Sequence, residues 1–554
     1  MIVSVVFIVL AVLAVAQLRS KPLTSDGVGV SVRRFFQYLL LSAMVVIVAI
    51  GISGLLGRGL DRGSLIVSDT IDLARDLAFI VVGVPTLVVV AMLTRARLRE
   101  GPEEARSLAW LLYLALAEIV GLTIAIAAAQ DVLLWIVQAR RFDSGAVART
   151  LVWGTVWAVH LRIGSRIPPR GRESRIGAAV VGLWTLAAGI SSLVSTAYSS
   201  LLSEPLVVEG TSPVAAALAA ILVGGGVWAG YWIGALRSAP KTAARQVYLV
   251  VVGVAGGLIA SIIGGTIIIY HVLVWWLGVP WTSDAASHFR SAAGAVGALA
   301  SGLLVWSFHR AVVARERGPV RDEAHRIAQY ITAGIALVAV GVAAVVFTVA
   351  GLEAATATVS LAGQPARNTL LLACTLLLVG GPVWGWWWRD IRRAVSADPV
   401  GERSSTARRV YLFALFGVVG LAAVTALIVA VAFLFDDIVA GRVGWNTLRR
   451  ARWALGVLAS AGAIAFGHWR VYRSDRMHAI EPALRHLVIV GPLAADTQRA
   501  LHDRLGARIE TWRTEGEPWS VDAIVAAIDG IGGGTVVVVA ADDGSPRAQP
   551  AERA

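Results

Sequence analysis

Ala244-Arg245-Gln246-Val247-Tyr248-Leu249 and Ala407-Arg408-Arg409-Val410-Tyr411-Leu412 are near copies, and each opens a long apolar run. Arg326-Ile327-Ala328-Gln329-Tyr330 stands between them, and Arg33-Arg34-Phe35-Phe36-Gln37-Tyr38-Leu39 is an earlier echo. Tyr248, Tyr330 and Tyr411 are spaced by 82 and 81 residues. Self-similarity at a fixed period decides the reading of the whole chain, because each repeat is one supersecondary unit. The far ends of the units are also alike: Trp157-x-x-His160 before Arg162, Trp306-x-x-His309-Arg310, Trp384-x-x-x-Trp388-Arg389 and His468-Trp469-Arg470. Each unit therefore reads as a helical hairpin that enters and leaves on one side.

Working outward, the apolar runs fill most of the chain. Of its 554 residues, 57% are hydrophobic and 15% charged, where soluble domains carry about 25% charged residues. A helix needs about 20 apolar residues to cross the hydrocarbon core. Thirteen spans meet that need, at roughly 2–18, 35–57, 77–94, 107–130, 143–161, 176–201, 213–236, 246–278, 291–309, 327–351, 368–388, 410–434 and 453–469. The fifth is the weakest, since its clean apolar stretch runs only from Leu151 to Leu161 and Arg149 must snorkel to the interface. The fold expected is an all-α polytopic membrane protein. It has an anchor at 1–32, six parallel hairpins at 33–98, 106–163, 170–238, 244–315, 322–393 and 407–476, a small α/β domain at 484–543 and a disordered tail at 544–554.

Loop charge sets the expected orientation. Loops after the odd-numbered spans hold 31 Arg and Lys, and the others hold 12. By the positive-inside rule the first set is cytoplasmic, which puts the N-terminus outside and the C-terminus in the cytoplasm. The loop at 435–452, with Arg442, Arg449, Arg450 and Arg452, is the local violation. Arg19 and Lys21 follow the first apolar stretch rather than precede it, which argues for a retained anchor rather than a signal peptide. Lys21 and Lys241 are the only lysines; this bias, with the Ala, Val and Gly richness, is associated with high-GC bacterial genomes. The arginines flank spans, so the partner they fit is a bilayer with anionic headgroups and not nucleic acid. The single cysteine, Cys374, excludes an internal disulfide and a Cys-rich metal site.

Arg-x-x-Tyr-Leu opening a hairpin, with Pro-Val-Trp-x-x-x-Trp-Arg at Pro382 to Arg389, resembles the tandem bacterial membrane module known as domain of unknown function 5671. The resemblance covers residues 33 to about 476. The second and third units depart from it, the third lacking both the opening Tyr-Leu and the terminal His. It implies an integral membrane location and no particular activity.

One carboxylate stands well inside a span: Glu118, in Leu116-Ala117-Glu118-Ile119-Val120. Carboxylates in hydrocarbon are costly and face a bundle interior or a water-filled cavity. Glu118 is thus either a proton or cation site of a transporter or a packing contact to a neighbouring helix. His271 is placed near the outer end of its span, as an interfacial residue or a proton relay. Asp72, Arg75 and Asp76 flank the start of the third span as a salt-bridge cluster that could form a vestibule, and Asp436 and Asp437 resemble them. The repeated Tyr248, Tyr330, Tyr411, Trp306, His309, Trp384, Trp388, His468 and Trp469 read as interfacial anchors. A ring of imidazoles binding haem or metal is the alternative, but no Cys-x-x-Cys-His or His-Glu-x-x-His motif supports it, so no cofactor or metal is expected. Glycines at 224–226, 253, 256–257, 264–265, 417 and 420 predict close helix approach, and Gly380-Gly381-Pro382 predicts a kink.

Beyond Arg476 the pattern changes to β-α-β-α-β, with strands at His486–Gly491, Arg508–Arg513 and Thr535–Ala540. Asp542-Asp543-Gly544 follows the last strand, where α/β ligands bind, but no phosphate loop is present. The domain reads as a surface for a protein partner or for self-association. The function expected is a membrane scaffold or partner-binding protein, with a transporter or permease using Glu118 as the alternative; no enzyme activity is expected.

Overall fold

The computed structural model describes residues 25–61, 70–105, 107–166, 174–202, 212–237, 242–316, 323–356, 366–477, 486–505, 508–529, 531 and 535–551. The expected first span at 2–18 lies outside them. The chain divides into two compact units, Met1–Ala461 and Gly462–Ala554.

The first unit is helical. Its elements are α1 (Ser25–Leu60), α2 (Thr70–Glu100), α3 (Pro102–Ala105), α4 (Leu108–Ile136), α5 (Ser144–Ser165), α6 (Ser174–Leu201) and α7 (Pro213–Tyr231), which runs on into a π-helical turn (Trp232–Leu236). Then come α8 (Ala243–Val247), a π-helical stretch (Tyr248–Ala255), α9 (Gly256–Leu277), α10 (Ala285–Arg290) and α11 (Ala293–Arg315). The series ends with α12 (Glu323–Ala355), α13 (Ala366–Ala397), α14 (Pro399–Ser404), α15 (Thr406–Val439) and α16 (Trp445–Met477), the last crossing into the second unit. Among the described residues eleven helices are long and apolar enough to cross a membrane. They correspond to every expected span except the first and the fifth. The fifth is α5, a helix of 22 residues that carries Arg149 and Arg162 and is not one of the eleven. α1 begins at Ser25, well before the expected boundary at 33.

Neighbouring helices pack as pairs: α1 on α2, α4 on α5, α6 on α7, α9 on α11, α12 on α13. Each pair also touches the next, through α1 with α5, α4 with α6, α6 with α11, α9 with α13, and α12 with α15. α16 reaches α12 as well, where Gly456 faces the Val345 carbonyl and Ser460 donates to the Gly341 carbonyl at 2.8 Å. Glycines set these approaches, as small residues do where backbones must come close. A Cβ on Gly224 would lie 2.5 Å from the Leu186 nitrogen, and one on Gly257 would lie 2.5 Å from the Trp306 nitrogen. Gly417 and Gly420 behave otherwise, since nothing lies within 4 Å of a Cβ built there. α13 runs through Pro382 as one helix.

The sheet of the second unit has the order β2-β1-β3-β4, with β1 (His486–Gly491), β2 (Arg508–Arg513), β3 (Thr535–Ala540) and β4 (Pro546–Pro550). β1 pairs in parallel with β2 and β3, connected through α17 (Ala495–Leu505) and α18 (Val521–Ile528). Leu487, Ile489, Val536 and Val538 alternate into a core closed by Leu501 and Ile524. The stretch read as a disordered tail instead supplies β4, antiparallel to β3. Pro-Arg-Ala-Gln-Pro carries no strand pattern, but proline is tolerated on an edge strand, and β4 is an edge.

Candidate functional site

The repeated entry motifs meet the chain again about 70 residues later. Arg33 and Arg34 bind the Glu104 carboxylate at 3.2 and 2.8 Å, and Tyr38 donates to it at 2.9 Å. Arg245 grips Glu316 through two nitrogens, at 2.9 and 2.5 Å. Arg326 reaches Glu402 at 3.0 Å. In each case an arginine at the start of a helix pair is tied to the connection that follows that pair. Burial works against the charge of Glu104, but hydrogen bonds from Arg34 and Tyr38 and the charges of Arg34 and Arg33 outweigh it and hold the carboxyl below its ordinary range.

The aromatic and imidazole side chains proposed as anchors cluster at the same ends. His160 and His309 each have Nδ1 against the carbonyl four residues back, at 2.7 and 2.8 Å. A carbonyl only accepts, so Nδ1 carries the proton and Nε2 its lone pair. That lone pair takes the Tyr113 hydroxyl at 2.7 Å in one case and faces the Tyr248 hydroxyl at 3.3 Å in the other. The hydroxyl of Tyr248 also receives Trp228 Nε1–H at 2.9 Å. Tyr248, Tyr330, His309 and His468 are buried, Trp306, Trp384, Trp388 and Tyr411 are half-buried, and Trp469 is exposed. Tyr330 accepts from Arg408 at 3.0 Å and lies 5.1 Å from the ring of Tyr411.

Glu118 is 2% exposed on α4. On the following turns of α4, Leu122 and Ile126 join Ala178 and Val181 in an apolar cluster, with Trp157 and Tyr231 against it. The seam belongs to α4, α5, α6 and α7, and Gly121 brings the Trp157 backbone close to α4. Tyr231 lies within electrostatic reach of the carboxylate. Glu118 lines neither the large cavity described next nor the two small ones beside Gly257 and Val254.

Asp72 and Asp76 do line a cavity. It measures about 370 Å³ and lies between the end of α1 and the starts of α2 and α5. Arg75 binds Asp76 Oδ1 at 3.0 Å and Asp72 at 2.6 Å, and Arg58 stands 3.5 Å from Asp76 Oδ2. Asp76 is 1% exposed and fits only because α1 carries glycine opposite: a Cβ on Gly54 would lie 2.0 Å from Asp76 Oδ2. Gly51, Gly54 and Gly57 form one stripe against α2 and α5.

His271 is buried against His288, whose Nε2–H donates to the His271 carbonyl at 3.0 Å. Trp281 covers both rings, with centroids 4.9 and 4.7 Å away. Asn368 clamps the nearby loop, accepting from Val279 N–H and donating to its carbonyl, both at 2.9 Å. Asp436 and Asp437 pair with Arg442 and Arg450 at 2.5 to 3.0 Å, and Arg452 binds Glu353 at 3.0 Å.

Sequence reading missed Glu104, Glu316 and Glu402, although each follows an entry-motif arginine by 70 to 76 residues, a spacing that would have found them. It also missed the Gly51-x-x-Gly54-x-x-Gly57 stripe and His288. A domain of unknown function (DUF5671) matches at residues 34–159, 175–306 and 326–463, each segment taking in four of the long helices. No curated protein and no solved structure matches the chain. The three segments cover more than half of the sequence, and the chain belongs to the DUF5671 family as a tandem array of that domain.

Proposed function

We propose that the protein is a multi-pass scaffold or partner-binding protein of the bacterial cytoplasmic membrane. In this reading the N-terminus is outside, the C-terminus is cytoplasmic, and the six hairpins share one orientation. Span-flanking arginines other than those tied to Glu104, Glu316 and Glu402 face anionic headgroups. The α/β domain at 484–543 supplies the surface for a protein partner or a second copy. The pairing of Arg442, Arg450 and Arg452 with acidic side chains supports the orientation, because the basic residues of the violating loop are balanced locally.

The observation that carries the scaffold reading is the burial of Glu118, 2% exposed on α4 and outside the cavities described above. In this reading the carboxylate ties neighbouring helices together rather than lining a water path. The transport alternative requires water at that position. The test uses the lone cysteine, which is removed as Cys374→Ser. Single cysteines at 115 to 121 are then challenged with membrane-impermeant charged thiol reagents from each side. The scaffold reading expects no labelling at 118 from either side. Labelling at 118 with protected lipid-facing neighbours transfers the assignment to a transporter.

A further inference from the structure

The cavity at Asp76 holds two polar atoms that the described residues leave without a hydrogen bond. Asp76 Oδ2 has only the ion pair with Arg58 at 3.5 Å and accepts no hydrogen bond, and Ser53 Oγ has no hydrogen-bond partner among the described residues. Both side chains are more than nine-tenths buried and line the same space. Buried polar atoms are nearly always satisfied, so two orphans in one cavity call for a specific cause. The volume of about 370 Å³ lies in the range of small-molecule sites.

Asp61 and Asp72 line the exposed side of the cavity together with arginines, and Asp72 is paired with Arg75. The deepest charge is the carboxylate of Asp76, which accepts and never donates. Arg75 and Arg149 stand at the half-open mouth, and Arg149 meets Asp143 only at 3.4 Å. A plain anion would meet Asp76 at the bottom, and a plain cation would meet the guanidinium groups at the mouth. A molecule with an N–H-bearing cation at one end and an oxyanion at the other satisfies both. Guanidinium groups favour phosphate by charge and by fork geometry.

The geometry points to a binding site for a phosphoethanolamine-type zwitterion, its ammonium donating to Asp76 Oδ2 and Ser53 Oγ and its phosphate held at the mouth by Arg149 and Arg75. This goes beyond the scaffold reading and does not depend on it. The ligand is either the headgroup of phosphatidylethanolamine or the free zwitterion. No covalent step is involved.

The test is native mass spectrometry of the full chain in detergent, titrated with phosphatidylethanolamine, phosphatidylcholine or phosphatidylglycerol. Phosphatidylethanolamine is expected to be retained about 5-fold better than phosphatidylcholine, whose quaternary nitrogen has no N–H to donate. Ser53→Ala is expected to reduce that preference about 3-fold, and Arg149→Gln to weaken both zwitterionic lipids together. Asp76→Asn risks the fold, so these two variants, checked for an unchanged thermal midpoint, decide the matter. Competition by millimolar free phosphoethanolamine identifies a soluble ligand; lipid retention without such competition identifies the headgroup. Equal retention of the three lipids, or a preference that survives both substitutions, overturns the site.

Discussion

Glu104 looks in sequence like a solvated loop carboxylate beside Glu103, yet it collects two arginines and a tyrosine. Its carboxyl is held below its ordinary range, so its ionised form is bound more tightly in the folded protein. The stabilisation is full above the unfolded value of about 4.3 and is lost as pH falls through the lower folded value. Glu104→Gln is therefore expected to lower stability near neutrality by about 1–3 kcal/mol. It is also expected to flatten the fall in thermal midpoint between pH 6 and pH 3; an unchanged acid profile would remove the pairing from the account. Glu118 was legible for the opposite reason: a charge inside an apolar run stands out at once. What its run could not reveal is which helices wall it in, because an all-apolar segment carries no phase. Asp72, Arg75 and Asp76 were legible as a cluster at a span's start, but Arg58, at the end of another helix, was not. Gly54, which makes Asp76 possible, was not, since its partner lies on another helix.

At the level of elements, the entry motifs marked the starts of α8, α12 and α15 but not of α1, and β1, β2 and β3 were legible from their sequence while β4 was not. The π-helical stretch Tyr248–Ala255 was not, because every residue there is apolar or glycine apart from the tyrosine hydroxyl. Its wider turn accompanies the seating of His309 against Gly253, where a Cβ would lie 2.2 Å from the imidazole. π-turns inside α-helices are uncommon and costly enough to mark a constrained site. Gly253→Ala is expected to cost about 1–3 kcal/mol by overpacking. Gly420→Ala, with nothing near its Cβ, is expected to stabilise α15 by about 0.5–1 kcal/mol. Thermal midpoints in one detergent compare the two, and a shift of the same sign in both would contradict the packing described. Asn368→Ala removes both bonds to Val279 and is expected to cost about 1–3 kcal/mol. Its signature would be faster hydrogen exchange at 278–284, with other loops unchanged.

Taken whole, the first unit is a succession of helix pairs, each in contact with the next, and the second is a sheet domain with its own core. In that domain Trp519 packs on Gly491 and donates to the Gly544 carbonyl at 2.9 Å, filling the space beyond the ends of β1 and β3. α/β sheets of this order bind ligands at that crevice. Trp519→Ala is expected to destabilise the domain by about 3–5 kcal/mol and to admit protease there while the helical unit stays intact. Cleavage no faster than in the parent chain would mean that Trp519 is dispensable to the core. The period of about 80 residues was legible, but its grouping into three family segments was not, since two hairpins that open alike give no sign of which belong together. The arginine-to-glutamate ties also bear on the order in which the protein is made. Each arginine finds its carboxylate within 70 to 76 residues, so a tie closes as soon as one helix pair has left the ribosome. For the three tied pairs assembly can then follow translation, each pair locked with little waiting on distant sequence.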